Sequence, residues 1–206
     1  MRRREFISLL GGTVGAWPLI ARAQQPALPV VGFVDVGWAE ASAARAASFR
    51  KGLSENGYVE GQNVMVEYHW LEGRYESAPS VVADLVRRQV AVIAAPTTAA
   101  ALAAKAATTT IPIVFGVGDD PVQLGLVASL ARPGGNVTGI NMFVVEVVTK
   151  RLRFLLDLVP KAARVAVLVN PANTSTAKAT LRGVQEAAAS CRRTQPAPDY
   201  LVHYRR

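Results

Sequence analysis

The chain is poor in the residues from which most reaction centres are built. It has one cysteine, Cys191, and two histidines, His69 and His203, far apart in sequence. A lone cysteine excludes an internal disulfide, and no His/Cys/Glu group has the spacing of a metal site. There is no G-x-S-x-G elbow to present a nucleophilic serine, and no G-x-x-x-x-G-K-[ST] phosphate loop. Gly116 and Gly118 have the start of a dinucleotide fingerprint, but Pro121 stands where the third glycine belongs, and the corner does not follow the first strand. No cofactor is implied. Long apolar runs are missing too: the greasy part of the N-terminus is shorter than the ~20 residues a bilayer span requires.

Positive charge is present, at a formal net +8, yet it is not arranged as a nucleic-acid footprint. Arg2, Arg3, Arg4 and Arg22 lie in an N-terminal leader, and Arg192, Arg193, Arg205 and Arg206 lie near the other end. The middle is close to balanced, without a basic stripe interleaved with aromatics, so no nucleic-acid partner is expected. Half of the residues are hydrophobic, enough for a real core and too many for a disordered chain.

The leader, "MRRREFISLLGGTVGAWPLIARAQQ", has a basic start, an apolar stretch and a small-residue site at Ala21-Arg22-Ala23. That is the layout of an export signal cleaved after Ala23. Arg3-Arg4-Glu5-Phe6-Ile7 resembles the twin-arginine motif, with Arg2 where Ser or Thr is usual. The expected location is the periplasm, reached through the export machinery. The alternative is an amphipathic helix kept in the mature protein.

Beyond the leader, short apolar runs alternate with helical patterns. "PVVGFVD" (29–35), "NVMVEYHW" (63–70), "VAVIAA" (90–95) and "PIVFGV" (112–117) read as strands. Between them, 42–56, 75–89 and "TTAAALAAKAAT" (97–108) read as helices, with Gly57 placed to end the first. Strands apolar on both faces and separated by helices predict an α/β fold with a doubly wound parallel sheet. In such sheets ligands gather outside the carboxyl ends of the strands. The candidate corners are therefore 35–38, 95–98 and 116–121.

The last corner, "GVGDDP", allows several chemistries. Adjacent Asp119 and Asp120 rarely face one substrate, and no third catalytic group is evident. Asp120-Pro121 reads as an N-cap followed by proline at the first helical position, which leaves Asp119 to face the cleft. Thr97 and Thr98 start a helix, where a hydroxyl either caps the backbone or, beside the exposed amides, helps bind a carboxylate. His69, within an alternating strand, reads as solvent-facing.

Several stretches together resemble a bacterial ABC-transporter substrate-binding protein family with the type I periplasmic-binding fold. They are the leader from Arg2, "GLSENGYVEGQNVMVEYHWLEGRYE", "VADLVRRQVAVI", "AATTTIPIVFGVGDDPVQLGLVASLARPGGNVTGI" and "KRLRFLLDLVPKAARVAVLVNPAN". The likeness runs from residue 2 to about 189. It implies two α/β lobes closing on an amino-acid-like or other small polar solute that is handed to an ABC permease in the inner membrane, with no enzymatic step. By position it implies a first-lobe rim of Val36, Gly37, Trp38, Thr97, Thr98 and Asp119, and a lobe crossing with Asn141. Asn170 and Asn173 would face the cleft from the second lobe. A carboxylate on amides and hydroxyls, with Asp119 for an ammonium, would suit a zwitterion.

The expected organisation is an export signal at 1–23, a first lobe at 24–143, the start of a second lobe at 144–189 and an aberrant tail at 190–206. Two lobes of this kind need ~100–150 residues each. The second is expected to be incomplete, its tail to lack the next strand, its strand 164–169 to have unpaired edges unless it pairs elsewhere, and solute binding to be impaired. A periplasmic sensory module and a small α/β enzyme are the competing readings. The first would need a signalling partner, the second a catalytic group that the sequence does not show.

Overall fold

A computed structural model describes residues 28–144, 147–160, 162, 164–191 and 199–204. The expected export signal at 1–23 lies outside the described residues. The first lobe is built on five parallel strands: β1 (Val30–Asp35), β2 (Met65–Trp70), β3 (Val92–Ala95), β4 (Ile113–Val117) and β5 (Val137–Asn141). Their order across the sheet is β2-β1-β3-β4-β5. The chain reverses its direction of winding between β1 and β3, so the loops leaving those strands diverge and open a crevice at their carboxyl ends.

Each strand forms where β-branched and aromatic residues cluster, and each helix where the apolar spacing changes to three and four. Helix α1 (Ala43–Glu55) buries Ala46 and half-buries Phe49 and Leu53, a narrow stripe one face wide. It ends where Gly57 adopts a φ of 82°, a left-handed conformation that costs glycine nothing. Helix α2 (Ala78–Arg87), entered through a 3₁₀ turn at Tyr75–Ser77, buries Ala78, Val82 and Leu85. Helix α3 (Thr98–Ala107) buries Ala100, Ala101 and Ala104, small residues that let it lie close to the sheet.

The strands divide their side chains between two cores by the period of two. Val34, Ile93, Ala95, Ile113, Phe115 and Val117 pack with α2 and α3. Val31, Phe33, Val66 and Ala94 face α1, where Phe33 lies 5.1 Å from Phe49 and 5.4 Å from Tyr68, ring centre to ring centre. This second face is covered over β1 and β2. Val114 on β4 and Ile140 on β5 lie exposed on the first lobe's surface, so the cover is thinner than two-sided apolar strands predict.

The second lobe begins with α4 (Val147–Leu158), β6 (Arg164–Val169) and α5 (Thr174–Cys191). Leu152, Val184 and Ala187 form its small core with Val165 and Val167. A seventh strand, β7 (Asp199–Tyr204), pairs in parallel with β6 from Arg164↔Asp199 to Val169↔Tyr204. This corrects the expectation of a tail without a strand, and it gives β6 a partner along one edge. The run "DYLVHY" is rich in aromatic and β-branched residues once the prolines at 196 and 198 are passed, which suits a strand. No helix among the described residues is long and apolar enough to cross a membrane.

β5 sits tightly against β4. A Cβ on Gly139 would lie 2.2 Å from the Phe115 carbonyl oxygen, so the strand can pair only if that residue is glycine. Gly139→Ala should cost about 1–3 kcal/mol by overpacking, seen as a lower urea midpoint. An unchanged midpoint would mean that β5 is not held in this register.

Candidate cleft between the two lobes

The three corners that sequence reasoning singled out lie side by side at the carboxyl edge of the first sheet. The β1 corner is organised by Asp35, whose side chain is 1% exposed. One oxygen accepts the Gly37 backbone N–H at 2.8 Å, and the other pairs with the half-exposed Arg45. A Cβ at Gly37 would come within 2.6 Å of Ser42 Oγ, so glycine lets the loop fold back on its own helix. Burial, and after it the charge of Asp35, raises the Tyr75 phenol above its ordinary value of 10.0.

The β3 and β4 corners meet directly. Thr97 occupies the N-cap of α3 in extended backbone, and its carbonyl accepts the Ala101 N–H at 2.9 Å. Its hydroxyl makes no cap, and Thr97 Oγ1 is buried without a hydrogen-bond partner. Thr98 instead donates its hydroxyl to Asp119 Oδ2 at 2.9 Å. Asp119 is 4% exposed, and its Oδ2 also accepts from Thr176 Oγ1, on the second lobe, at 3.0 Å. Its Oδ1 is buried and has no partner. One carboxylate therefore joins both lobes through two hydroxyls and keeps an unsatisfied oxygen.

Asp120 serves its own turn. Its Oδ1 accepts the Val122 N–H at 2.8 Å and the Gln123 N–H at 3.4 Å, as an N-cap would. The segment after Asp120 is a compact turn rather than the expected helix. Leu126 N–H closes back on the Pro121 carbonyl at 2.9 Å, and Gly125 takes a φ of 71°. Between this turn and α5 lies a cavity of about 490 Å³, lined by residues that include Asp119, Gln123, Leu124, Ser175, Lys178 and Arg182. That volume falls in the ~300–1,000 Å³ range of small-molecule sites. Ser175 Oγ is a further buried polar atom without a partner. Among the described residues no group of three His, Cys, Asp or Glu could hold a metal ion.

The remaining expected site residues have different placements. Val36 is buried and packs in the α2–α3 core instead of lining the rim. It is two residues beyond Val34, which puts it on the same face. Trp38 is 56% exposed at the rim. Asn141, half-buried at the end of β5, accepts the Phe143 N–H at 2.8 Å, and its Nδ2 is buried without a partner. Asn170 and Asn173 shape the β6–α5 turn: Asn170 Oδ1 accepts the Ala172 N–H at 3.0 Å, and the Asn173 carbonyl accepts the Ala177 N–H at 2.9 Å. His69 is half-buried, with a buried Nε2, so it does not face solvent as expected. Of the expected residues, Asp119 lines the cavity, and the others stand around it or apart from it.

A model of the family described as ABC transporter substrate binding protein matches residues 34–190. The chain belongs to that family. A tyrosine-binding protein of Clostridioides difficile (strain R20291) is 34% identical over 122 residues, 59% of this chain and 35% of that protein. A conserved domain protein from Vibrio cholerae superimposes with a TM-score of 0.69 at 26% identity, covering 86% of this chain and 57% of that one. The ABC domain from Streptococcus pneumonia in complex with L-Trp gives a TM-score of 0.68 at 19% identity, with the same coverage of 86% and 57%; at that identity the likeness shows the fold alone. The fold is that of the type I periplasmic binding proteins. The chain spans less than two thirds of the length of each of these relatives.

Removing the Asp35 carboxylate leaves the Gly37 N–H without its partner and Arg45 without its counter-charge. Asp35→Ala should lower stability by about 1–3 kcal/mol, read from denaturant titration. Asp35→Asn, which keeps an acceptor, should lose less and should move the Tyr75 phenol back toward 10.0, its ordinary value. A Tyr75 titration that is the same in Asp35→Asn and wild type would contradict this coupling.

Proposed function

We propose that this protein is the solute-binding component of an ABC importer and that its solute is a small zwitterion of the amino-acid kind. The reading is supported by the Asp119 carboxylate: buried, tethered by a hydroxyl from each lobe, with Oδ1 unsatisfied beside the cavity. A buried polar atom without a partner is costly, and a bound donor relieves that cost. A primary ammonium supplies both the hydrogen bond and the opposite charge. The carboxylate of the same solute would take the unpartnered Thr97 hydroxyl and the amides at the α3 N-terminus. In this reading the exposed Trp38 and Asn141, whose Nδ2 has no partner, would make further contacts.

In this reading the protein works outside the inner membrane, is exported through the residue 1–23 leader, and hands its solute to a permease. It performs no chemistry on the solute. That one relative is named a tyrosine-binding protein agrees with an amino-acid-like ligand.

Calorimetry against a panel of the common amino acids tests the reading. At least one should bind the wild type, and Asp119→Asn should weaken it about tenfold to a hundredfold, the equivalent of one charge-assisted hydrogen bond. Thr97→Val should weaken it by less. Equal affinities in wild type and Asp119→Asn, or no amino-acid binding at all, would end it.

A further inference from the structure

The cavity extends well past Asp119, and its far wall has its own chemistry. Ser175, Lys178, Ala179 and Arg182 recur at helical spacing, so α5 turns one face of two successive turns into the space. Neither Lys178 nor Arg182 makes an ion pair or side-chain hydrogen bond among the described residues. Two like charges four residues apart repel each other, and here they do so beside the buried, unpartnered Ser175 Oγ. The rise of the helix, ~1.5 Å per residue, sets Lys178 roughly 4.5 Å and Arg182 roughly 10 Å along the wall from Ser175. Leu124 and Ala179 give the space between an apolar lining.

We infer that this wall is the specificity subsite for a second, anionic group on the solute, so that the preferred ligand is an amino acid with an acidic side chain. The inference rests on the proposed seating of an ammonium at Asp119. From that anchor, a side chain runs past Leu124 and Ala179 and brings its terminal carboxylate between Lys178 and Arg182. Ser175 adds a hydroxyl donor near the start of the path. Asp119, Asp120 and Glu186 also line the cavity, and their charge opposes a simple dianion. The ligand must therefore bring its own positive charge, which selects an acidic zwitterion over a plain dicarboxylate.

The test is calorimetry on the full chain with L-glutamate, L-glutamine, L-tyrosine and succinate, on wild type and on a Lys178→Gln/Arg182→Gln double variant. Both side chains are exposed, so the double variant should melt as the wild type does. L-Glutamate should bind the wild type about tenfold or more tighter than L-glutamine and tighter than succinate. The double variant should bind L-glutamate no tighter than L-glutamine, and Lys178→Arg/Arg182→Lys should restore the preference. L-Glutamine or L-tyrosine binding the wild type as tightly as L-glutamate, or a preference that survives in the double variant, overturns the subsite. If binding depends on Asp119 but shows no charge preference, the subsite falls alone. If no amino acid binds, the seating at Asp119 falls and takes the subsite with it.

Discussion

A single carboxylate connects what the two lobes do. Asp119 Oδ2 accepts one hydroxyl from Thr98 on the first lobe and another from Thr176 on the second. The side chain is held at 4% exposure by that double tether and cannot swing out to water. Within the second lobe, Thr149 donates its hydroxyl to the Gly183 carbonyl at 3.4 Å and joins two helices. The Asp119–Thr176 hydrogen bond thus ties the β4 corner to the helix that walls the cavity.

That arrangement comes from sheet topology more than from local motif. In a parallel sheet every strand points the same way, so all the strand-to-helix corners collect on one edge. β3 and β4 are neighbours, which brings Thr98 and Asp119, 21 residues apart in sequence, within 2.9 Å. The polar groups on this edge divide into two kinds. Those of Asp35, Asp120, Asn170 and the Asn173 backbone are satisfied within their own corners and give the loops their shape. Thr97 Oγ1, Asp119 Oδ1, Asn141 Nδ2 and Ser175 Oγ are buried and unsatisfied. A native protein keeps few such atoms, and it keeps them where something else completes them.

Much of this architecture is legible in the chain. Strand and helix alternation predicts the α/β sheet, and the helix read at 42–56 is observed at Ala43–Glu55. The identity of the corners is legible too, because corner position depends on strand order alone. Individual roles are harder to read. Val36 belongs in the core by its period-two relation to Val34, a signal that the sequence does carry. The exchange of roles between Thr97 and Thr98 has no such signal, because local capping rules treat them alike and Asp119 decides which hydroxyl is spent. Thr176, Ser175, Lys178 and Arg182 share a helix whose spacing is visible in sequence, but the choice of which face meets the first lobe is tertiary. The seventh strand escapes a sequence reading because a Pro- and Arg-rich stretch precedes it and hides a short β-rich run.

The central claim is that a solute sits against Asp119, between the β4 corner and the α5 wall. An amide chemical-shift map recorded while the protein is titrated with L-glutamate, and in parallel with L-tyrosine, tests it most directly. The account predicts shifts concentrated at 97–100, 119–124 and 175–182, moving together along one binding curve. Shifts confined to the groove around Arg50, Tyr58 and Glu60 on the outer side of α1, with residues 119–124 unmoved, would contradict it.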